Sequence, residues 1–353
     1  MVDHISTRKS QLSATKRALL AKRLKGNLKS SSPKIPCREP GTIVPLSFSQ
    51  QRLWFLYQFA PDSPFYNVPF ALHLKGKLDI AALKQTLQTL LQRHEILRTT
   101  FADAKIEGQA QQIVHTQATP QLKQRQLSNL GEQAWAEVKR LAQEEAHQAF
   151  DLYQGPLLRV TLLAVAEHEF ILLVTLHHII SDVWSTGVLV GEMAALYRAF
   201  IQAKPDPLPP LPIQYADFTL WQRQWLQGEK LQNQIRYWQH QFATLPSVLQ
   251  LPTVRPRPAV QCFCGYRKTF SLSLELTQGL KELGQTADAT LFMTVLAAFK
   301  ILLYRYTGQT DITIGSPIAN RNQAVIEGLI GLFMNTLALR TQLDGNPSFR
   351  ELL

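Results

Sequence analysis

The spacing of hydrophobic positions predicts helices and strands that alternate along most of the chain. Asp79 is a residue type that starts helices, and leucines recur at helical spacing after it. Those leucines are Leu83, Leu87, Leu90 and Leu91. Residues 170–176 are instead continuously apolar and rich in β-branched side chains, which predicts a strand buried on both faces.

The remaining elements follow from the same periodicities and from capping residues. The predicted strands are residues 67–74, 96–101, 110–115, 157–165, 169–176, 266–272 and 311–315. The predicted helices are residues 13–25, 48–58, 79–91, 132–149, 184–202, 274–283 and 290–306, with a Trp-rich helical stretch after residue 212. This mixture of strands and helices predicts an α/β or α+β fold.

Length and proline content divide the chain. A chain of 353 residues exceeds one ordinary core and predicts two packed lobes. Residues 27–44 and the proline-rich residues 203–212 have the composition of connecting segments. The predicted divisions are a basic N-terminal helix and linker at 1–44, an N-terminal lobe at 45–202, and a connector with part of a C-terminal lobe at 203–353.

The net charge of +11 is concentrated near the N-terminus. The first 40 residues hold ten Lys or Arg and two acidic residues, so the rest of the chain is nearly neutral. A nucleic-acid enzyme usually spreads basic residues over its fold, so this distribution argues against that class. The basic arm either contacts an acidic partner or forms a solvated helix.

The cysteines and the lack of long apolar runs bear on compartment. Cys262 and Cys264 form a lone C-x-C, which is a poor zinc site, and with Cys37 they favour reduced thiols in a cytoplasmic protein. The sequence has no stretch of eighteen apolar residues that would predict a membrane span, and it has no apolar run after Met1 that would predict a secretory signal. We expect no metal site and a cytoplasmic location.

Two adjacent histidines, His177 and His178, follow the buried strand, and Asp182 lies five positions after the first. Imidazole suits proton transfer near neutral pH, so the pair is the candidate catalytic centre. Adjacent residues on extended chain point to opposite sides, so one ring should face the interior and the other a cavity. For each, a core histidine with satisfied nitrogens is the alternative. Asp182 is expected to accept backbone amides or to pair with an arginine.

The segment 177–182 resembles the H-H-x-x-x-D-G signature of nonribosomal peptide synthetase condensation domains, which belong with chloramphenicol acetyltransferase-like acyltransferases. Four further segments resemble motifs of that family in the family's order. They are residues 47–55 (S-F-S-Q-Q-R-L-W-F), 93–101 (R-H-E-I-L-R-T-T-F), 215–222 (Y-A-D-F-T-L-W-Q), and 314–321 (I-G-S-P-I-A-N-R) continuing through 331–337 (G-L-F-M-N-T-L). The resemblance covers residues 45–353, and Ser49 stands where the first motif has alanine.

The resemblance implies two chloramphenicol-acetyltransferase-like lobes in a V, with the histidine motif in a tunnel between them. It implies that carrier proteins deliver an acyl donor and an aminoacyl acceptor as thioesters on phosphopantetheine arms, and that a peptide bond forms. No cofactor would be bound directly. The carrier proteins and other synthetase modules would act in trans, with neither nucleic acid nor membrane as a partner.

The resemblance also implies roles for single residues. Asp182 would pair with an arginine of the second lobe, for which Arg321 is our choice and Arg305 the second choice. Arg93 and Arg98 would support the site, with surface salt bridges as the alternative. Trp184 would anchor its helix in the core.

Two features depart from the family pattern. Val183 stands where the family has glycine, and a β-branched residue would be strained by about 1–3 kcal/mol if that position needs a positive φ. Otherwise its side chain would project near the tunnel. The family also continues for roughly a hundred residues beyond Leu353, so we expect an incomplete second lobe. Either a partner chain completes this lobe, or the chain is a fragment or a degraded gene product.

Three functions are compatible with these motifs. The first is a condensation enzyme that forms peptide bonds. The second is a non-catalytic module that binds carrier proteins, and the third is a stand-alone acyltransferase for a free amine or alcohol. The motif residues favour the first function, whereas Val183 and the expected incomplete lobe favour the second.

Overall fold

The structure is a computed structural model that describes residues 34–103, 110–244, 246, 248–256, 258–259, 265–345 and 347–353. The helix predicted at 13–25 and the Cys262–Cys264 segment lie outside the described residues. The strands are β1 Val44–Pro45, β2 Asn67–Lys75, β3 Thr99–Ala102, β4 Gln111–Val114, β5 Leu122–Gln126, β6 Leu158–Ala166, β7 Glu169–His177, β8 Asp311–Ile318 and β9 Asn335–Gln342. The helices are α1 Phe48–Phe59, α2 Ile80–Arg93, α3 Ala134–His147, α4 Val183–Phe200, α5 Tyr215–Trp225, α6 Gly228–Gln241, α7 Leu274–Thr286, α8 Leu291–Thr307, α9 Ala324–Glu327 and α10 Phe349–Leu352.

The described residues fall into two compact units. The larger unit contains Lys34–Gln234 and Pro317–Thr336, and the smaller unit contains Ile235–Ser316 and Leu337–Leu353. This division differs from the predicted one at residue 202, because α5 and the start of α6 pack with the preceding residues. Residues 317–336 also belong to the larger unit, whereas the sequence placed them in the second lobe.

A four-stranded sheet in the order β2-β7-β6-β5 forms the centre of the larger unit. β7 is antiparallel to both β2 and β6, and β5 is parallel to β6. Alternate residues of β7 pack into two different hydrophobic clusters, because Ile171 and Leu173 face α3 while Leu172 and Val174 join the main core. The prediction that this strand is buried on both faces is therefore confirmed.

A three-stranded sheet in the order β1-β4-β3 also belongs to the larger unit. The main core beneath the two sheets takes in Ile35, which lies before the start predicted near Val44. Arg38 explains the earlier start, because its guanidinium pairs with Asp217 (2.9 Å) and Glu95 (2.6 Å). The described part of the predicted linker is thus fixed to the larger unit.

Side-chain caps define where several helices begin. The side chain of Ser47 accepts from the amide of Gln50 at the start of α1, and Asp79 accepts from the amide of Ala82 at the start of α2. These bonds satisfy donors that the first turn of a helix leaves free. The predicted helix start at Asp79 is confirmed.

The smaller unit contains the second half of α6, helices α7, α8 and α10, and most of the two-stranded sheet β8-β9. Thr290 caps α8, as predicted, and the helix ends at Gly308, whose φ of 69° is in the left-handed region. The side chain of Lys300 is buried on α8, and its Nζ donates to the carbonyl of Leu339 on β9 (2.9 Å). This bond holds the helix against the strand.

Residues 266–272, predicted as a strand, have no regular secondary structure. Tyr266 and Phe270 are exposed, so the alternating pattern there does not correspond to a buried face. The prediction was wrong because a strand requires a hydrogen-bonded neighbour, and neither β8 nor β9 pairs with this segment in the described part of the smaller unit. Within the described ranges no single helix has the length and hydropathy of a membrane span, although α7 and α8, bent by 102°, pass that test together by length and composition only.

Candidate functional site

The histidine pair lies at the end of β7, on a 3-10 turn formed by His178–Ile180. The backbone amide of His177 donates to the carbonyl of Leu157 (3.0 Å), and that of His178 donates to the carbonyl of Tyr66 (2.8 Å). From α1, the buried carboxamide of Gln50 donates to the carbonyl of Ile179 (3.2 Å). The turn is therefore anchored from three directions by hydrogen bonds to its backbone.

His177 is an interior residue, with 4% of its surface exposed. Its Nδ1 accepts a hydrogen bond from the amide of Ile179 (3.1 Å), so this nitrogen carries no proton. Burial lowers the pKa of His177 to about 3, and the neighbouring His178 and Arg159 act in the same direction. The ring is thus neutral at physiological pH.

His178 is only partly buried, in contrast to its neighbour. Its Nδ1 is shielded from solvent and has no hydrogen-bond partner among the described residues. The described residues therefore do not fix this ring through Nδ1, in contrast to the ring of His177. The two rings therefore have different surroundings, as the strand periodicity predicts.

Asp182 ends the turn and caps α4 with its carboxylate. Its Oδ1 accepts from the amide of Ser185 (2.8 Å) and from Arg321 (3.2 Å), and its Oδ2 accepts from the amide of Phe333 (3.0 Å). The side chain is buried, and both oxygens are engaged. Both predicted contacts, with backbone amides and with an arginine, are therefore present.

Arg321 lies in the segment 317–336 of the larger unit, and its side chain is 1% exposed. Its guanidinium donates to Asp182, to Ser185 Oγ (3.0 Å) and to two backbone carbonyls, those of Ile326 (2.5 Å) and Leu329 (2.8 Å). Burial lowers the pKa of Arg321, and pairing with Asp182 opposes that shift. An arginine remains charged under such conditions, so the contact is a buried ion pair.

Ser185 joins the capped helix to the segment 317–336. Its Oγ lies 2.7 Å from Asp182 Oδ1 and 2.9 Å from the carbonyl of Gly331, and it accepts from the amide of Gly331 (3.1 Å). The hydroxyl has one hydrogen, so it can donate to only one of the two oxygens at a time. Ser185 fixes the start of α4 against this segment.

Tyr215, the first residue of α5, lies beneath the same cluster and is fully buried. Its hydroxyl donates to the carbonyl of Leu332 (2.8 Å) and lies 2.8 Å from Ser47 Oγ. Burial raises the pKa of Tyr215, so the phenol stays protonated as this donor bond requires. Residues from four of the five sequence motifs thus meet around one buried hydrogen-bond network.

Val183 and Trp184 both lie at the exposed start of α4. Val183 is the first residue of α4, has a helical backbone without positive φ, and is 78% exposed. The strain considered for this position is absent, because a helix accepts valine there. Trp184 is 45% exposed rather than a core anchor, since its position in the first turn of α4 directs the ring to the surface. Its Nε1 donates to the carbonyl of Glu327 (2.9 Å).

The other predicted arginines lie apart from this cluster. Arg93 pairs with Glu192 (3.0 Å), and Arg98 donates to the carbonyls of Leu91 (3.2 Å) and His115. Within the described residues, neither side chain is hydrogen-bonded to the histidine pair or to Asp182. Arg305 is exposed on α8 in the smaller unit. The contact of Asp182 with Arg321 thus confirms our first choice of partner.

Sequence reasoning missed Ser185, Gln50 and Tyr215 as members of the site. Ser185 stands three residues after Asp182, a spacing at which a helix cap and the first turn interact, and this signal was available. The contacts of Gln50 and Tyr215 are with residues more than a hundred positions away, so no local spacing indicates them. Across the described ranges, no group of three or more His, Cys, Asp or Glu residues is arranged to hold a metal ion.

Comparisons with known proteins identify related chains. The family model named condensation domain matches residues 41–353. A linear gramicidin synthase chain of Brevibacillus parabrevis is 52% identical over 311 residues, which cover 88% of this chain and 6% of that protein. Phosphinothricin tripeptide synthetase PhsC of Streptomyces viridochromogenes is 41% identical over an alignment that covers 100% of this chain and 32% of that protein. The chain therefore spans a small part of the length of these curated relatives.

Solved structures share the fold. The X-domain of teicoplanin biosynthesis, solved in complex with OxyB, superposes with a TM-score of 0.79 at 31% identity, covering 91% of this chain and 70% of that chain. The first condensation domain of the calcium-dependent antibiotic synthetase has a TM-score of 0.71 at 21% identity, covering 88% and 71%. These matches confirm the predicted fold class of mixed helices and sheets.

Proposed function

The chain belongs to the condensation-domain family, and from that premise we propose that it joins an acyl or peptidyl thioester to an aminoacyl thioester through a peptide bond. We propose that both substrates arrive on the phosphopantetheine arms of carrier proteins, which act in trans. The observation that carries this proposal is the contrast between His178, whose ring is partly exposed with an unpartnered Nδ1, and Asp182, whose oxygens are both engaged.

The proposed reaction needs little help from a strong base. The acceptor α-amine has a pKa of about 7.7–8.0, so a useful fraction is unprotonated at neutral pH. Its nitrogen attacks the carbonyl carbon of the donor thioester, the carbon–sulfur bond breaks, and the thiol leaves with the proton that the amine loses. His178 then acts by holding the amine and stabilising the charged tetrahedral intermediate.

His177 and Asp182 act as positioning residues in this proposal. The neutral ring of His177 fixes the turn through the amide of Ile179. Asp182 fixes the end of the same turn by capping α4 and by binding Arg321. Arg321, Ser185 and Tyr215 support the site by holding segment 317–336 against this helix start. Val183 and Trp184 lie beside the site at the exposed start of α4.

The test is a reconstitution with separately loaded donor and acceptor carriers, in which the dipeptidyl thioester is measured. We expect His178→Ala to lower kcat by about 10²- to 10³-fold without abolishing turnover, because a positioning and electrostatic role is partial. Complete loss of turnover, with thioester loading and fold intact, would instead assign the role of general base to His178.

A second function has one observation in its favour, which is the similarity to the teicoplanin X-domain solved with OxyB. We infer from it a non-catalytic module that binds another protein of the assembly. The same reconstitution separates the two functions. Carrier binding by the wild-type chain without any dipeptidyl product would select the binding module.

A further inference from the structure

The ring of His177 is enclosed by two aromatic side chains. The ring of Phe150 meets it edge to face, with centroids 6.0 Å apart and planes at 82°. The ring of Tyr66 lies at 6.3 Å. Phe150 is 4% exposed, so this contact is part of the core rather than a surface encounter. The orientation of His177 therefore depends on where Phe150 is held.

Phe150 is in turn covered by the guanidinium of Arg159, whose central carbon lies 3.7 Å from the ring centroid. The donors of Arg159 are directed at the end of α3. Nε reaches Glu145 Oε1 (2.5 Å), Nη1 reaches the carbonyl of Ala149 (3.2 Å), and Nη2 reaches the carbonyls of Glu145 (3.0 Å) and Gln148 (2.7 Å). A planar guanidinium can make these bonds together, whereas an ammonium group cannot.

The same end of α3 is also bound by the residue that faces His177 in the sheet. Asn67 of β2 is the register partner of His177, and its Nδ2 donates to the carbonyls of Ala146 and Gln148 (both 2.8 Å). Arg159 lies opposite Thr175 on the other side of β7. Both strands beside the histidine are therefore fixed to one helix end.

We propose that Arg159 and Phe150 are positioning residues for the histidine turn. They hold the ring of His177 with Nδ1 towards the amide of Ile179, and this bond sets the position of His178. The inference deepens the proposed function and rests on it only for its effect on catalysis. The arrangement of the His177 ring is a property of the folded chain, and it can be measured without substrates.

Charge supports the same orientation. A proton on Nδ1 of His177 would face the N–H of Ile179 and break that hydrogen bond. It would also place a second cation near Arg159 of β6 and beside His178, while the nearby carboxylate of Glu145 is already bound to Arg159. The neutral form with its hydrogen on Nε2 is therefore the one that fits.

The first test is imidazole ¹⁵N nuclear magnetic resonance on the full chain at pH 7. We expect His177 in the wild type to show a single neutral form with its hydrogen on Nε2. Arg159→Lys, which keeps the charge but loses the planar donors, and Phe150→Leu, which keeps apolar volume, should each give mixed or exchange-broadened ring signals. Unchanged His177 signals in both folded variants would overturn the proposal.

The matched control is Arg340→Lys in the smaller unit. Arg340 also binds a carboxylate, Asp311 (2.5 Å), also binds a carbonyl at a helix end, Gln241 (2.7 Å), and also lies over a ring, Phe242 (5.6 Å). Its substitution should lower stability without changing the His177 signals. A change in those signals equal to that in Arg159→Lys would mean that general destabilisation explains the effect, and would overturn the proposal.

The second test measures turnover in the carrier reconstitution. Arg159→Lys and Phe150→Leu should lower kcat by about 10- to 100-fold while the KM values for the loaded carriers stay within about twofold, because the loss is one of geometry at the reacting atoms. The double variant should lose less than the product of the single losses. If the kcat losses of the two single variants multiply in the double variant, Arg159 and Phe150 act independently, and this would contradict a shared role. If the wild type makes no product, the proposed function fails and the resonance experiment alone decides this inference.

Discussion

His177 and His178 are adjacent in sequence but differ in burial and in the hydrogen bonding of Nδ1. The first is in the core with a bonded Nδ1, and the second is on the turn with an unpartnered Nδ1. Strand periodicity predicts that the two rings face opposite sides, and burial lowers the pKa of His177, so that its ring is neutral at physiological pH. The pair therefore combines one buried ring that is bonded to the turn with one ring that is only partly buried.

The depressed pKa of His177 predicts a dependence of stability on pH. The folded chain binds a proton at His177 only near pH 3, whereas the unfolded chain binds it near pH 6.5. Between pH 3 and pH 6.5 the unfolded state therefore binds more protons than the folded state. The contribution of His177 to the free energy of unfolding is complete above pH 6.5 and is lost as the pH falls towards 3. In His177→Asn, the carboxamide oxygen can still accept from the amide of Ile179, but the side chain does not titrate. The free energy of unfolding of this variant should therefore lack the His177 contribution to its pH dependence, which is at most about 1.4 kcal/mol per pH unit.

The measurement is chemical unfolding of the wild type and the variant between pH 5 and 8. We expect the variant to be less stable at pH 8 because the smaller side chain leaves a gap, and the difference to shrink as the pH falls. His168→Asn, at an exposed histidine, is the control and should leave the slope unchanged. Parallel curves for wild type and His177→Asn would show that His177 is protonated equally in both states.

The contact of Asp182 with Arg321 was predicted from the sequence alone. Two segments of the chain resemble motifs of a family in which such a pair occurs. The sequence did not predict that Arg321 would lie in the same compact unit as the histidines. Position along the chain does not indicate this, because residues 235–316 belong to the smaller unit and residues 317–336 belong again to the larger unit. Trp184 was wrongly expected in the core, because its ring is 45% exposed and its Nε1 donates to the carbonyl of Glu327 in the segment 317–336, a contact that the local sequence does not indicate.

At the scale of elements, segment 317–336 depends on one glycine for its close approach to α5. A Cβ built on Gly331 would lie 2.0 Å from Cδ2 of Tyr215, and the tyrosine ring is fully enclosed. Gly331→Ala should therefore destabilise the larger unit by about 1–3 kcal/mol or more, since neither the ring nor the backbone has room to move.

Thermal or chemical unfolding checks this prediction, and Gly328 offers a matched control on the same segment. Gly328 has an ordinary negative φ of −83°, and a Cβ there meets nothing within 4 Å. Gly328→Ala should leave the midpoint nearly unchanged. If both alanine variants unfold together with the wild type, the segment must be able to move away from Tyr215.

The elements that sequence predicted well are those whose signals are local. α2 and α8 begin at Asp79 and Thr290 because a single side chain caps each start, and β7 is recognisable by its unbroken apolar run. Residues 266–272 carry a strand-like pattern, yet their structure depends on a pairing partner elsewhere. Pairing between distant segments is a tertiary property that local spacing does not determine.

At the scale of the whole molecule, the two units differ greatly in buried apolar surface. The main core of the larger unit draws on both sheets and on α1, α2, α4 and α5. In the described part of the smaller unit, the buried apolar cluster consists of Leu303, Ile312 and Leu343. Along α8, Phe292, Val295, Phe299 and Leu302 are exposed although their spacing gives one continuous stripe. Burial of such side chains supplies most of the free energy of folding.

This difference predicts unequal resistance to local opening, which amide hydrogen exchange followed by mass spectrometry measures. Backbone hydrogen bonds open most easily where few apolar side chains cover them. Peptides from α7 and α8 should therefore exchange about tenfold or more faster than peptides from β6 and β7, which lie between helices on both faces. The comparison is made within one sample at pH 7, so that conditions are identical for both units. Equal protection of α8 and β7 would mean that the apolar stripe on α8 is covered in solution, and that the smaller unit gains its stability from a contact absent among the described residues.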